Sequence, residues 1–191
     1  MNARLDLTLD KATFDHWLLD QERKYEWKEG RVVQMTDVTR GHASIVMNIA
    51  LSLAARLDRE KWRIVASDFG VEGQGFVRFP DVLVEPADAG DMSSRRTDKA
   101  VLLFEVLSPT SVDTDMLEKP QEYLSLAPLE AYVVASQDAA ICWLWQRDAT
   151  TRSFTERPLR IDGRDRSIEF TGRGIALPLA EIYRGITTTD D

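Results

Sequence analysis

Cysteine is nearly absent from this chain: Cys142 is the only one in 191 residues, so no internal disulfide can form. Its place in the apolar run ICWLW, with no histidine or basic residue beside it, assigns it a buried structural thiol and a reducing, cytoplasmic setting. Histidine is scarce as well. His16 and His42 are the only two, which leaves Ser108 few partners for work as a nucleophile. No apolar run approaches the length of a membrane span, and the first residues, MNARLDLTLDKATFDHW, carry charge throughout instead of the apolar stretch of a signal peptide. The expectation is a soluble protein with no membrane association. Positive charge is in deficit, 24 basic against 32 acidic side chains for a net −8, and this opposes non-specific coating of a polyanion. It leaves open an enzyme that meets phosphates through metal ions and a local basic rim.

No internal repeat or low-complexity tract interrupts the chain. Its length suits one core, so we expect a single domain over 1–186 and a frayed tail over 187–191. Phe14, Trp17 and Leu18 fall at helical spacing within Asp10 to Lys24, and Tyr25 to Met35 reads as a strand bent at Glu29-Gly30. Ile45, Ile49, Leu53 and Leu57 form the buried stripe of a helix from about His42 to Leu57. Three strands are expected at Trp62 to Val71, Phe76 to Glu85 and Lys99 to Ser108, with a polar connection over Ala87 to Asp98. A further helix follows Lys119, where Pro120 is tolerated in a first turn. Strands are then expected at Glu130 to Ser136, Ala140 to Arg147 and Ser153 to Leu159. This order predicts an α/β (α+β) fold, a mixed β-sheet flanked by helices.

Two of the apolar runs each hold one carboxylate. FVRFPDVLVE places Asp81 behind Pro80, and AVLLFEVLSPT places Glu105 among Leu103, Phe104, Val106 and Leu107. A carboxylate in a hydrophobic strand is costly unless paired, hydrogen-bonded or bound to a cation. If the two strands pair, hard oxygen ligands converge on one point, which suits magnesium or manganese and metal-assisted phosphodiester hydrolysis. Lys119 supplies a cation to orient or deprotonate water or to neutralise the phosphate. A structural reading stands beside this one: Asp after Pro serves turns, and a lone strand Glu serves salt bridges.

The ordered set Pro80-Asp81, Glu105 in FEVLSPT, then Asp115-x-x-Glu118-Lys119-x-x-x-Tyr123 and the strand EAYVV resembles an uncharacterised bacterial family of restriction-endonuclease type within the PD-(D/E)XK nuclease superfamily. The resemblance extends upstream through YEWKEGRVVQM and His42, covering about Tyr25 to Trp145. It implies a restriction-endonuclease-like core and a divalent-metal-dependent endonuclease acting on DNA. It also implies Asp81 and Glu105 as metal ligands, the backbone carbonyl of Val106 as a third, Mg2+ or Mn2+ as cofactor, and a homodimer. Leu107 stands two residues after Glu105, where the superfamily usually has lysine; in this family the lysine has moved to the next helix, as Lys119.

Glu26 matches the family's early glutamate and is an accessory acid or a strand-end ion pair. His42 approaches a phosphate, orients Glu26, or serves as a local cap. Tyr132, Trp143 and Trp145 alternate in the manner of a core or interface more than of a base-stacking surface. Arg95, Arg96 and Lys99 form a candidate phosphate-contacting rim. Two other classes remain: a nuclease-fold interaction or regulatory module without catalysis, and a hydrolase of another phosphoester.

Overall fold

The structure, a computed structural model, describes residues 4–35, 38–66, 68–108 and 111–188. It opens with β1 (Arg4–Thr8) and α1 (Lys11–Leu18), a helix capped where the Asp10 side chain accepts from Thr13 N at 2.8 Å. The helix ends well short of the expected Lys24. The hairpin β2 (Tyr25–Lys28) and β3 (Arg31–Gln34) turns at Glu29-Gly30, as expected from sequence. Both turn residues have positive φ, 45° and 90°, which a tight two-residue hairpin of matching twist requires. Helix α2 (Arg40–Ala54) starts earlier than expected because Thr39 caps it, accepting from His42 N at 3.1 Å.

Two of the expected strands are each divided. Trp62 to Val71 becomes β4 (Trp62–Ala66) and β5 (Gly70–Gly73), and Phe76 to Glu85 becomes β6 (Phe76–Arg78) and β7 (Val82–Pro86). The break in the second run falls at Pro80, which has no N–H for a ladder. Within the expected polar connection, β8 (Arg96–Thr97) forms a short strand. Then come β9 (Leu102–Val106), a π-helical turn at Thr114–Glu118, and α3 (Lys119–Tyr123), so the helix around Lys119 begins before that residue. The chain continues as β10 (Ala131–Ala135), β11 (Ile141–Gln146), β12 (Leu159–Asp162), β13 (Ser167–Phe170), β14 (Ile175–Pro178) and α4 (Leu179–Ile182). The strand expected over Ser153 to Leu159 is reduced to one bridge between Phe154 and Arg147, with Pro158 unable to donate just before β12. Of the expected tail, 189–191 lie outside the described residues.

The divided runs create two sheets. One has the order β1-β3-β2-β6-β5-β8, the other β12-β11-β10-β9-β7-β4, and β13-β14 is a separate hairpin. Both large sheets are mixed: β5 and β8 are parallel, as are β9 and β10, and the remaining ladders are antiparallel. The mixed α+β architecture expected from sequence is thus present, with two sheets in place of one. Ile45, Ile49 and Leu53 of α2 pack with Val82, Val84 and Phe104 on one face of the second sheet. Leu83, Leu103 and Tyr132 on its other face pack with Tyr123 of α3 and with Val71 and Phe76 of the first sheet. The far face of the first sheet, Tyr25, Trp27 and Val77, is covered by Phe14, Trp17 and Leu18 of α1. Burying large side chains of this kind is worth about 1.5–3 kcal/mol each. The polar groups that lie between the two sheets must therefore be held by partners.

Candidate active site

Alternation along β2 sends Tyr25 and Trp27 towards α1 and Glu26 the other way. The ladder that pairs Trp27 with Val77 sets Glu26 opposite Arg78 one step on. Arg78 is only 2% exposed. Its Nη1 donates to Glu26 Oε2 at 2.8 Å, and its Nε and Nη2 donate to the two oxygens of Glu122 at 2.7 and 2.8 Å. Burial opposes the charge of Arg78, but Glu26 and Glu122 outweigh it and raise its pKa. Burial likewise opposes ionisation of Glu26, and the charges of Lys119 and Arg78 overcome it, holding that carboxyl below its usual range.

The antiparallel ladder of β7 and β9 pairs Val82 with Phe104 and Leu83 with Leu103. Its next step sets Asp81 opposite Glu105, on the face that carries Leu83, Leu103 and Tyr132. Asp81 Oδ2 accepts from Val106 N at 2.7 Å, and Oδ1 lies 2.9 Å from His42 Nε2. Glu105 Oε1 accepts from Lys119 Nζ at 2.7 Å and from Tyr123 Oη at 3.0 Å. Among the described residues no hydrogen bond reaches Glu105 Oε2. Lys119 Nζ also lies 2.9 Å from Asp115 Oδ1 and 3.7 Å from Glu26 Oε1. The π-helical turn contributes here: Asp115 and Lys119 are four residues apart on one face, and Tyr132 Oη donates to the Asp115 carbonyl at 2.8 Å.

Every residue expected to form the site is therefore placed in one region. Asp81, Glu105 and Lys119 converge, and Glu26 joins them through Lys119. His42 reaches Asp81, not Glu26. Val106 sits beside Glu105 with its N–H committed to Asp81. Arg78 and Glu122 were not singled out from sequence, and Asp115, Tyr123 and Tyr132 were named there only within the family motif or as a candidate ring surface, with no role beside the carboxylates. The four-residue spacing of Asp115 and Lys119, and an arginine within the apolar run FVRFP, were the available signals. Trp145 stacks on buried Tyr132 at 5.3 Å, so these rings are core. In the expected basic rim, Arg96 is paired with Asp15 and Lys99 with Asp98.

The balance of charge bears on a metal. Glu26, Asp81, Glu105, Asp115 and Glu122 face Lys28, Arg78 and Lys119, an excess of acid in a poorly solvated place. Burial, reinforced by Asp115, Asp81 and Glu26 against the pull of Lys119, pushes the Glu105 carboxyl well above its ordinary range. Lys119 shows the complementary shift: burial works against its charge, yet Asp115, Glu105 and Glu26 raise its pKa well above the usual value. A divalent cation fits this donor set in kind, since the oxygens are hard and the unspent charge is negative. Among the described residues no group of three or more His, Cys, Asp or Glu is gathered as a ready metal cage.

Comparison with known proteins bears on the fold and the family. A crystal structure described as a "putative nuclease belonging to DUF820", from Anabaena variabilis ATCC 29413, superposes with a TM-score of 0.74 over 92% of this chain and 98% of that one. At 13% identity, the two share a fold. No curated protein matches the chain. Among the described residues no helix is long and apolar enough to cross a membrane. The family model described as "Uma2: Putative restriction endonuclease" matches residues 12–177, most of the sequence, and the chain belongs to that family.

Proposed function

We propose that the protein is a divalent-metal-dependent endonuclease hydrolysing DNA phosphodiester bonds. The observation that carries this reading is the placement of Asp81 and Glu105 across one ladder step with Lys119 bonded to Glu105. Asp81, Glu105 and the carbonyl of Val106 would hold Mg2+ or Mn2+. Such an ion, when bound, supplies a Lewis acid and a more acidic water. The chain's own residues do the rest. His42 and Val106 N hold the Asp81 carboxylate in one orientation. Lys119, fixed by Glu105 and Asp115, presents a positive charge to a phosphate that gains negative charge in the transition state. Its surroundings of carboxylates favour this role over that of a proton acceptor. Two copies of the site related by a two-fold axis would cut both strands of a duplex, and light scattering reads the number of copies.

Purified protein should cleave DNA only with magnesium or manganese added, and Asp81→Asn or Glu105→Gln should each reduce cleavage by about a hundredfold or more. Unfolding curves that match the parent's would show that each variant remains folded. Cleavage that survived both substitutions would overturn the proposal. Parallel assays on RNA and nucleotides would separate DNA cleavage from hydrolysis of another phosphoester.

A further inference from the structure

Beside the acid cluster, on the α1 side of the first sheet, lies a cleft of about 380 Å³. Its walls are of two kinds. Leu18, Leu19, Phe69 and Phe79 give it an apolar surface, and Arg23, Lys24, Arg95 and Arg96 give it positive charge, against only Asp15 and Asp68 of opposite sign. In a chain of net charge −8, four cations in one cleft are a local reversal. Two are already matched: Arg96 donates to Asp15 at 2.6 Å, and Lys24 pairs with Asp68. The side chains of Arg23 and Arg95 have no ion pair or hydrogen bond among the described residues, and both residues are exposed.

The floor of the cleft is built for close approach. A Cβ on Gly70 would meet Arg96 Cβ at 3.1 Å and the Phe79 ring at 3.3 Å, so glycine lets these two side chains close over β5. The position is also informative. Phe79 lines the cleft and Asp81 follows it by two residues, a span of at most about 7 Å of chain. Tyr25, another wall residue, precedes Glu26 in β2, the two side chains leaving opposite faces of that strand. The short chain span from Phe79 to Asp81 ties the cleft wall to the strand that carries one acid of the cluster.

We infer that this cleft holds one nucleotide of the substrate strand, next to the phosphate at the acid cluster, with its base against Phe69 and Phe79 and its phosphate against Arg23 and Arg95. An aromatic face accepts any base, so the cleft would position the strand without reading sequence. The inference rests on the nuclease reading of the neighbouring site and names where its substrate lies.

The test is binding of a fluorescein-labelled oligodeoxynucleotide without divalent metal, followed by anisotropy at several salt concentrations. Arg23→Glu with Arg95→Glu should weaken binding about tenfold or more and make the dependence of log K on log salt shallower by about one to two. Lys61→Glu, an exposed reversal on β4's approach, should leave binding unchanged. Phe69→Ala should weaken binding roughly tenfold for the ordinary strand and have no effect on an abasic one. Unfolding curves confirm that each variant is folded. Parental affinity in the double reversal, an equal loss in Lys61→Glu, or an equal loss for both strands in Phe69→Ala would overturn the inference. The two failures are separable: cleavage that survives changes at Asp81 and Glu105 removes the nuclease site, whereas intact binding by the reversed cleft removes only the cleft's role.

Discussion

Replacing Arg78 with methionine removes the cation that ties β2 and β6 of the first sheet to α3. Three hydrogen bonds go with it, one to Glu26 and two to Glu122. At about 1.5–3 kcal/mol for each bond to a charged group, simple addition would give about 4.5–9 kcal/mol against a typical total stability of about 5–15 kcal/mol, but bonds that share one guanidinium are not additive. The more useful measure is the cost of leaving buried charge unpaired, about 3–5 kcal/mol. The lower part of that range is expected, because Lys28 remains 2.9 Å from Glu122 and Lys119 remains 3.7 Å from Glu26. For a domain of this size the loss corresponds to a fall in melting temperature of roughly 6–16 °C. Urea unfolding at neutral pH would measure it. The pH dependence adds a second check. Burial opposes ionisation of Glu26 and Glu122, but their cations hold both carboxyls below the ordinary 4.5, so the stability they supply is present above that pH and is lost as pH falls. The gap between parent and Arg78→Met should therefore narrow below pH 4.5, and adding Glu26→Gln with Glu122→Gln should restore much of the loss at neutral pH. A loss under about 1 kcal/mol, or a gap that does not narrow in acid, would refute the reasoning.

Two further outcomes follow from groups away from the site. Glu181 accepts from Arg56 at 2.8 Å twice and from Ser52 at 2.6 Å, and these bonds lower its pKa to about 2. Its contribution to holding α4 on α2 is present above about pH 4.5 and fades as pH falls towards 2; Glu181→Gln should flatten that part of a stability-pH curve, by a small amount because the pair is partly exposed. Burial pushes the Cys142 thiol up to about 12, so a thiol reagent at pH 8 should label the protein only after denaturant unfolds it; rapid labelling of the native protein would contradict the packing.

Much of the site was legible because its acids are out of place locally. Asp81 and Glu105 interrupt apolar strands, and their register could be anticipated once the strands were assumed to pair. The architecture was legible in kind but not in number of sheets. FVRFPDVLVE has the composition of one strand, and only the proline marks where it leaves one sheet for the other. Arg78 was missed for a related reason: its partners Glu26 and Glu122 lie 52 and 44 residues away, beyond any local pattern. Asp115 was visible as part of a motif, but its role depends on a π-helical turn, whose wider winding has no composition signal of its own. The N-cap at Thr39 and the missing N–H of Pro158 shifted element ends by a few residues, as such local groups commonly do.

The crossing between sheets at Phe79–Pro80 has a consequence for how this chain can change over generations. Arg78 faces the acid cluster, Phe79 lines the cleft and Asp81 stands opposite Glu105, all within four consecutive positions. One residue inserted or deleted here would turn the strand that follows onto its opposite face, moving Val82 and Val84 from the α2 side to the layer between the sheets and Leu83 the other way. Surface loops elsewhere can lengthen by drift, but this segment can vary only by substitution, and its length should be as invariant among relatives as any of its side chains.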